Sequence, residues 1–118
     1  AFVVQAEARE LVRQLSAIPT TDLGTPEKSN LENSLIPLKA IADSDSLEVQ
    51  RNYFVRLNEV LIPIMESLGS GTQTLYVQTC PMADNNKGAA WMSAQKEIRN
   101  PYYGDAMLTC GRVIRTIQ

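Results

Sequence analysis

The sequence predicts a mainly α protein: an up-and-down helical bundle over residues 1–69, with three visible helices, and a loop-rich C-terminal lobe over 70–118 that carries short extended segments. Three observations lead there. Apolar residues recur at intervals of three and four in three stretches, separated by short breaks rich in Pro, Gly, Ser and Asp. The helical period stops at Gly69-Ser-Gly71. Beyond it, β-branched alternation is mixed with turn formers. A length of 118 residues suits one domain, which would bury about 65% of its unfolded surface.

The first helix is predicted over 2–18, where Ala8, Leu11, Val12, Leu15 and Ile18 fall at helical spacing among charged residues. Pro19 and the run Thr20-Thr-Asp-Leu-Gly24 end it. Thr25-Pro-Glu27 reads as a helix start, with Thr25 as N-cap, proline at the first position and an acid in the first turn. Leu31, Leu35, Leu38 and Ile41 or Ala42 make the stripe. Asp45, with Glu48 three residues on, resembles a capping box for the third helix. There the stripe is Tyr53 or Phe54, Leu57, Leu61, Ile64, Met65 and Leu68, closed by Gly69. Pro37 and Pro63 interrupt helical patterns and are expected to kink them.

In the lobe, residues 74–79 alternate and read as a strand. Asp84-Asn-Asn-Lys-Gly88 is a turn, and residues 89–96 with Trp91 fit a short helical or extended element. Asn100-Pro-Tyr-Tyr-Gly104 is a second turn with aromatic anchors. Residues 112–117 alternate again, and pairing them with 74–79 would bring Cys80 close to Cys110. Trp91, Asn100, Pro101, Tyr102 and Tyr103 are expected to wall a supporting pocket.

Composition excludes several classes. With 11 basic and 13 acidic residues, the chain has no basic stripe for nucleic acid. No apolar run approaches the roughly 18 residues of a transmembrane segment. The start at Ala1-Phe-Val-Val-Gln5, with neither an initiator methionine nor a signal-like region, is expected to mark a processed or trimmed product.

Both cysteines and two of the four methionines fall in two short motifs, Cys80-Pro-Met82 and Met107-Leu-Thr-Cys110. Pro81 disfavours the α region for Cys80, so Cys80-Pro-Met82 is expected to be extended, with both sulfurs on one side. In Met107-Leu-Thr-Cys110 the spacing puts both sulfurs on one face of a helical turn, with Gly111 as a left-handed stop. Thiolates and thioethers are soft donors that select Cu(I) or Ag(I) over Mg, Ca or Mn. The chain has no histidine, and with only two thiolates zinc is disfavoured. The metal reading therefore assigns Cys80, Met82, Met107 and Cys110 as ligands.

The same residues support a plain disulfide, with the methionines as core filler. Closing the 80–110 loop would stabilise the fold by about 3–4 kcal/mol through lost chain entropy. The sequence shows no histidine base, nucleophile elbow, Gly-rich phosphate loop or Cys-x-x-Cys, so the expectation is a binding domain and not an enzyme.

The strings Cys80-Pro-Met-Ala83, Gly88-Ala-Ala-Trp-Met92 and Glu97-Ile-Arg-Asn-Pro-Tyr-Tyr-Gly-Asp-Ala-Met-Leu-Thr-Cys-Gly111 closely resemble a bacterial domain family of formerly unknown function. The resemblance is specific over 74–112 and looser over 1–68, where Arg51-Asn-Tyr-Phe54 is similar to the family's Arg-x-x-Phe helix motif. That family occurs as stand-alone exported proteins, prominently in Bacteroidetes, and fused to periplasmic adaptor subunits of copper and silver efflux pumps. The resemblance implies a periplasmic or secreted helical bundle that handles heavy metals. Its expected partner is an efflux adaptor or another periplasmic metal-handling protein. It carries over Cys80, Met82, Met107 and Cys110. The family has a further N-terminal helix, making four, and a Leu-Ser pair where this chain has Leu57-Asn58.

Overall fold

The computed structural model describes residues 2–19, 21, 24–103 and 107–118. The chain divides into two compact units, Ala1–Val60 and Leu61–Gln118. Among the described residues no helix is long and apolar enough to cross a membrane.

In the first unit, α1 (Phe2–Ser16) packs along α2 (Thr25–Ala42). The face of α1 turned inward is Gln5, Ala8, Val12 and Leu15, spaced by three and four residues. Leu11 and Ile18, expected in the stripe, are 43% and 39% exposed: Leu11 flanks that face beside Val12, and Ile18 lies beyond the end of α1 at Ser16. Thr20, Asp22 and Leu23 of the predicted break lie outside the described residues. On α2 the predicted stripe holds, with Leu38, Ile41 and Ala42 buried and Pro37 and Ser34 beside them. Pro37 removes one backbone donor from the helix interior, yet α2 runs through it.

Two predicted helix starts shift by one residue. Gly24, not Thr25, is the N-cap of α2; it has an extended backbone and no side-chain cap bond, and Lys28 N–H donates to its carbonyl at 3.0 Å. The third helix, α3 (Leu47–Leu68), starts after Ser46 and not Asp45, because the Ser46 hydroxyl accepts from Val49 N–H at 3.3 Å. Ser44 supports that start. Its Oγ accepts from Ser46 N–H, and its carbonyl accepts the Gln50 side-chain amide at 2.9 Å. Gly69, with φ of 80°, ends α3 as predicted, and its N–H donates to Met65 O.

The second unit corrects the fold class. In place of a mainly α bundle with a loop-rich lobe, the chain is a mixed α/β protein with a three-stranded antiparallel sheet, ordered β2-β1-β3. Strands β1 (Leu75–Cys80) and β3 (Arg112–Ile117) pair as the alternation predicted, Leu75 opposite Ile117 and Thr79 opposite Arg112. The element left open between helix and extended chain over 89–96 is strand β2 (Ala89–Ser93), paired with β1 from Tyr76–Ser93 to Cys80–Ala89. Its Ala-Ala-Trp-Met-Ser sequence has weak strand propensity, so pairing and not local preference makes it a strand.

Both faces of the central strand are covered. On one, Val77 and Ile117 pack with Ile62 of α3, and Met65, Leu75, Ala90, Met92 and Ile114 close around them. On the other lie Gln78, Cys80 and Trp91. Between β1 and β2, α4 (Ala83–Asn86) is one turn in which Asp84, Asn85 and Asn86 have φ of 55°, 55° and 66°. Asn and Asp enter this left-handed region more readily than other residues with a Cβ.

The cap assignment is testable by urea denaturation. Ser46→Ala should lower stability by about 1 kcal/mol, and Asp45→Ala by less; the reverse order would return the cap to Asp45.

Candidate functional site

The site grows from the face of β1 that carries Gln78 and Cys80. Gln78 is fully buried, and its amide is used at both ends. Its Nε2 donates to the carbonyls of Gln95 and Lys96 at 2.9 and 3.1 Å, and its Oε1 accepts the Trp91 indole N–H at 2.7 Å. A buried amide left without partners would cost about 1–3 kcal/mol, so these contacts fix where the chain crosses the sheet after β2. Trp91 meets Tyr102 edge-on, centroids 5.8 Å apart, and the Tyr102 hydroxyl donates to Ala90 O at 2.7 Å.

Asn100 is the second buried polar residue of this face. Its Oδ1 accepts the N–H groups of Tyr102 and Tyr103 at 2.8 and 3.3 Å, which shapes the predicted turn as an Asx turn. Its Nδ2 donates to Cys110 O at 2.9 Å, and its own N–H donates to Leu108 O at 2.7 Å. One side chain therefore ties the 100–103 turn to the residues before β3. Pro101 is half-buried within that turn. Gly104, the last residue of the predicted turn, lies outside the described residues.

Cys80 ends β1, fully buried, and Cys110 is half-buried just before β3. Neither is bonded, and their sulfurs face each other at 2.7 Å. Gly111 allows this closeness. A Cβ there would stand 2.8 Å from Thr79 O and 3.1 Å from the Trp91 ring. Its φ of 144° lies beyond the left-handed helical region expected of it, so the close approach, not a helix stop, demands glycine.

The expected extended Cys80-Pro-Met82 is instead a turn. Met82 has helical angles at the head of α4, and the N–H groups of Met82 and Ala83 fold back onto the Cys80 sulfur. Pro81 suits the second position of such a turn. The Met82 side chain is 46% exposed, and its carbonyl accepts from the Tyr103 hydroxyl. In the second motif the expected turn forms, with Cys110 N–H donating to Met107 O at 3.1 Å and Met107 half-buried. The two methionines thus brace the cysteines through their main chains.

Charge divides unequally between the thiols. Burial raises the Cys80 pKa, but the Cys110 thiol, the backbone N–H groups of Met82 and Ala83, and the Asn100 amide all favour its thiolate, and the balance is a lowered value. The Cys110 pKa is raised, first by its hydrogen bond to Cys80 and then by burial and the charge on Cys80. Among the described residues no group of three or more His, Cys, Asp or Glu is arranged to hold a metal ion. A metal here would depend on the two thiolates with thioether help.

Of the residues predicted to wall a pocket, Asn100 reaches the Cys80 sulfur and the Cys110 carbonyl, while Trp91 and Tyr102 meet each other edge-on. Sequence reasoning missed Gln78 as the anchor of Trp91, and placed Asn100 in a turn and a pocket wall without its bond to the Cys110 carbonyl. The one available signal was position: Gln78 lies two residues before Cys80 and so on the same face of β1. Compared with models of protein families, with curated proteins and with solved structures, the chain finds no match.

Two outcomes are expected. Gln78→Leu should destabilise the protein by about 1–3 kcal/mol and Trp91→Ala by about 3–5 kcal/mol, with the double variant losing less than the sum; strict additivity would mean that the two side chains are not coupled. For the reduced protein, the lowered Cys80 value makes stability rise as pH climbs through the Cys80 titration, and the raised Cys110 value makes it fall once unfolded thiols ionise. Urea midpoints should peak near pH 8.5, about the unfolded thiol value, and a monotonic profile would contradict the division of charge.

Proposed function

We propose that the Cys80–Cys110 pair receives a soft monovalent ion, Cu(I) or Ag(I), as cargo, with the Met82 and Met107 thioethers as weaker donors. The observation that carries this reading is the meeting of two unbonded thiols at 2.7 Å at one end of the sheet. Soft sulfur donors prefer such ions over Mg or Ca. The N–H groups of Met82 and Ala83 and the Asn100 amide, all turned onto the Cys80 sulfur, would hold that ligand in place. In this reading the chain is a periplasmic or secreted binding domain, not an enzyme. It holds the ion for, or passes it to, an efflux adaptor or another periplasmic metal-handling protein.

The same 2.7 Å approach favours a second reading, in which a Cys80–Cys110 disulfide staples the turn that holds Cys110 to the end of β1 and the module is structural. Anaerobic titration against a Cu(I) chelator separates the two. The metal reading expects reduced wild type to take up one Cu(I) per chain with release of protons. Cys80→Ser and Cys110→Ser should each nearly abolish uptake, while Met82→Leu and Met107→Leu should weaken it with little loss of stability. No uptake by wild type, or uptake indifferent to both cysteine changes, leaves the disulfide reading in its place.

A further inference from the structure

We propose that Cys80 and Cys110 form an exchangeable dithiol–disulfide couple in which small thiols and disulfides react at Cys110 while Cys80 is the sulfur held in reserve and released. The proposal goes beyond ion binding and depends only on how the two cysteines are placed.

Three features of the pair carry it. The sulfurs already face each other at 2.7 Å, so bond formation between them needs no travel of either chain segment. Their exposure is unequal: Cys80 is fully buried at the end of the central strand, whereas Cys110 is half-buried in the turn before β3. A nucleophile from solvent therefore reaches the Cys110 sulfur first. Finally, Cys80 has N–H donors gathered on its sulfur, from Met82, Ala83 and Asn100, which stabilise it as a leaving group. Access and leaving-group support point the same way.

The chemistry balances in two exchanges. In oxidation, the Cys110 thiol passes its proton to the Cys80 thiolate beside it and attacks one sulfur of a small disulfide such as glutathione disulfide. A mixed disulfide forms at Cys110, and one glutathione thiolate departs and takes up that proton, leaving Cys80 ionised. The Cys80 thiolate then attacks the Cys110 sulfur, forming the Cys80–Cys110 bond and expelling the second glutathione. Two electrons pass from the protein pair to the small disulfide. Reduction by glutathione runs the same steps backwards, with attack at Cys110 and departure of Cys80.

The test uses the full chain, free of metal and without oxygen, equilibrated in mixtures of reduced and oxidised glutathione, quenched with acid and mapped by mass spectrometry. The expected result is that wild type moves between dithiol and disulfide as the glutathione ratio changes, and that the trapped mixed disulfide lies on Cys110. Cys80→Ser should accumulate the glutathione adduct about ten-fold or more faster than Cys110→Ser. A trapped adduct on Cys80, equal rates in the two variants, or a disulfide indifferent to the glutathione ratio would overturn the proposal. Wild-type mapping decides even if a variant misfolds. Because no copper is present, failure here leaves the ion-binding reading untouched, and failure of copper uptake leaves exchange untouched.

Discussion

Register between β1 and β3 is the constraint on which the rest of the second unit depends. Successive side chains of a strand point to opposite faces, so a slip of one residue exchanges the two faces. With Thr79 opposite Arg112, Val77 joins Ile117 and Ile62 in the apolar core, and Gln78 and Cys80 point to the side where Gln95, Lys96, Asn100 and Cys110 lie. A slip would place the Gln78 amide among Ile62, Met65 and Ile114, where burial without partners is costly. It would also turn the Cys80 sulfur away from Cys110. The pairing is not uniform, since a bulge between Val77 and Gln78 adds one residue on β3, and Ile114 takes its place in the core.

Two buried amides fix what lies over that second face. Gln78 binds the chain as it leaves β2, at Gln95 and Lys96, and Asn100 binds it as it returns toward β3, at Leu108 and Cys110. Apolar packing alone would allow this crossing segment several positions, whereas a buried amide accepts few. Specificity of this kind comes from the cost of leaving the groups unpaired more than from the strength of any one bond. The closeness of the two sulfurs follows from both anchors together with the missing Cβ at Gly111.

Much of the helical half was legible in the sequence, because a stripe repeated over many residues averages out local exceptions. The span of α2, the Gly69 stop of α3 and the strands around 75–80 and 112–117 follow from periodicity. The caps were less legible, since Ser46 and Asp45, like Gly24 and Thr25, are adjacent and equally fit for the role. The fold class went astray at Ala89–Ser93, whose residues form helix or strand according to what they meet. Cys80-Pro-Met82 was expected to be extended from the proline rule, which restricts the residue before proline and leaves Met82 free to turn. The roles of Gln78 and Asn100 were hidden because a polar side chain in a sequence does not show whether it is buried.

The most direct measurement is the set of cross-strand nuclear Overhauser contacts between β1 and β3 in reduced full-length chain. Contacts joining Leu75 to Ile117 and Thr79 to Arg112, with the pattern broken between Val77 and Gln78, are the expected result. A continuous ladder displaced by one residue, with Cys80 opposite Arg112, would contradict the account, because the two cysteines would then face apart.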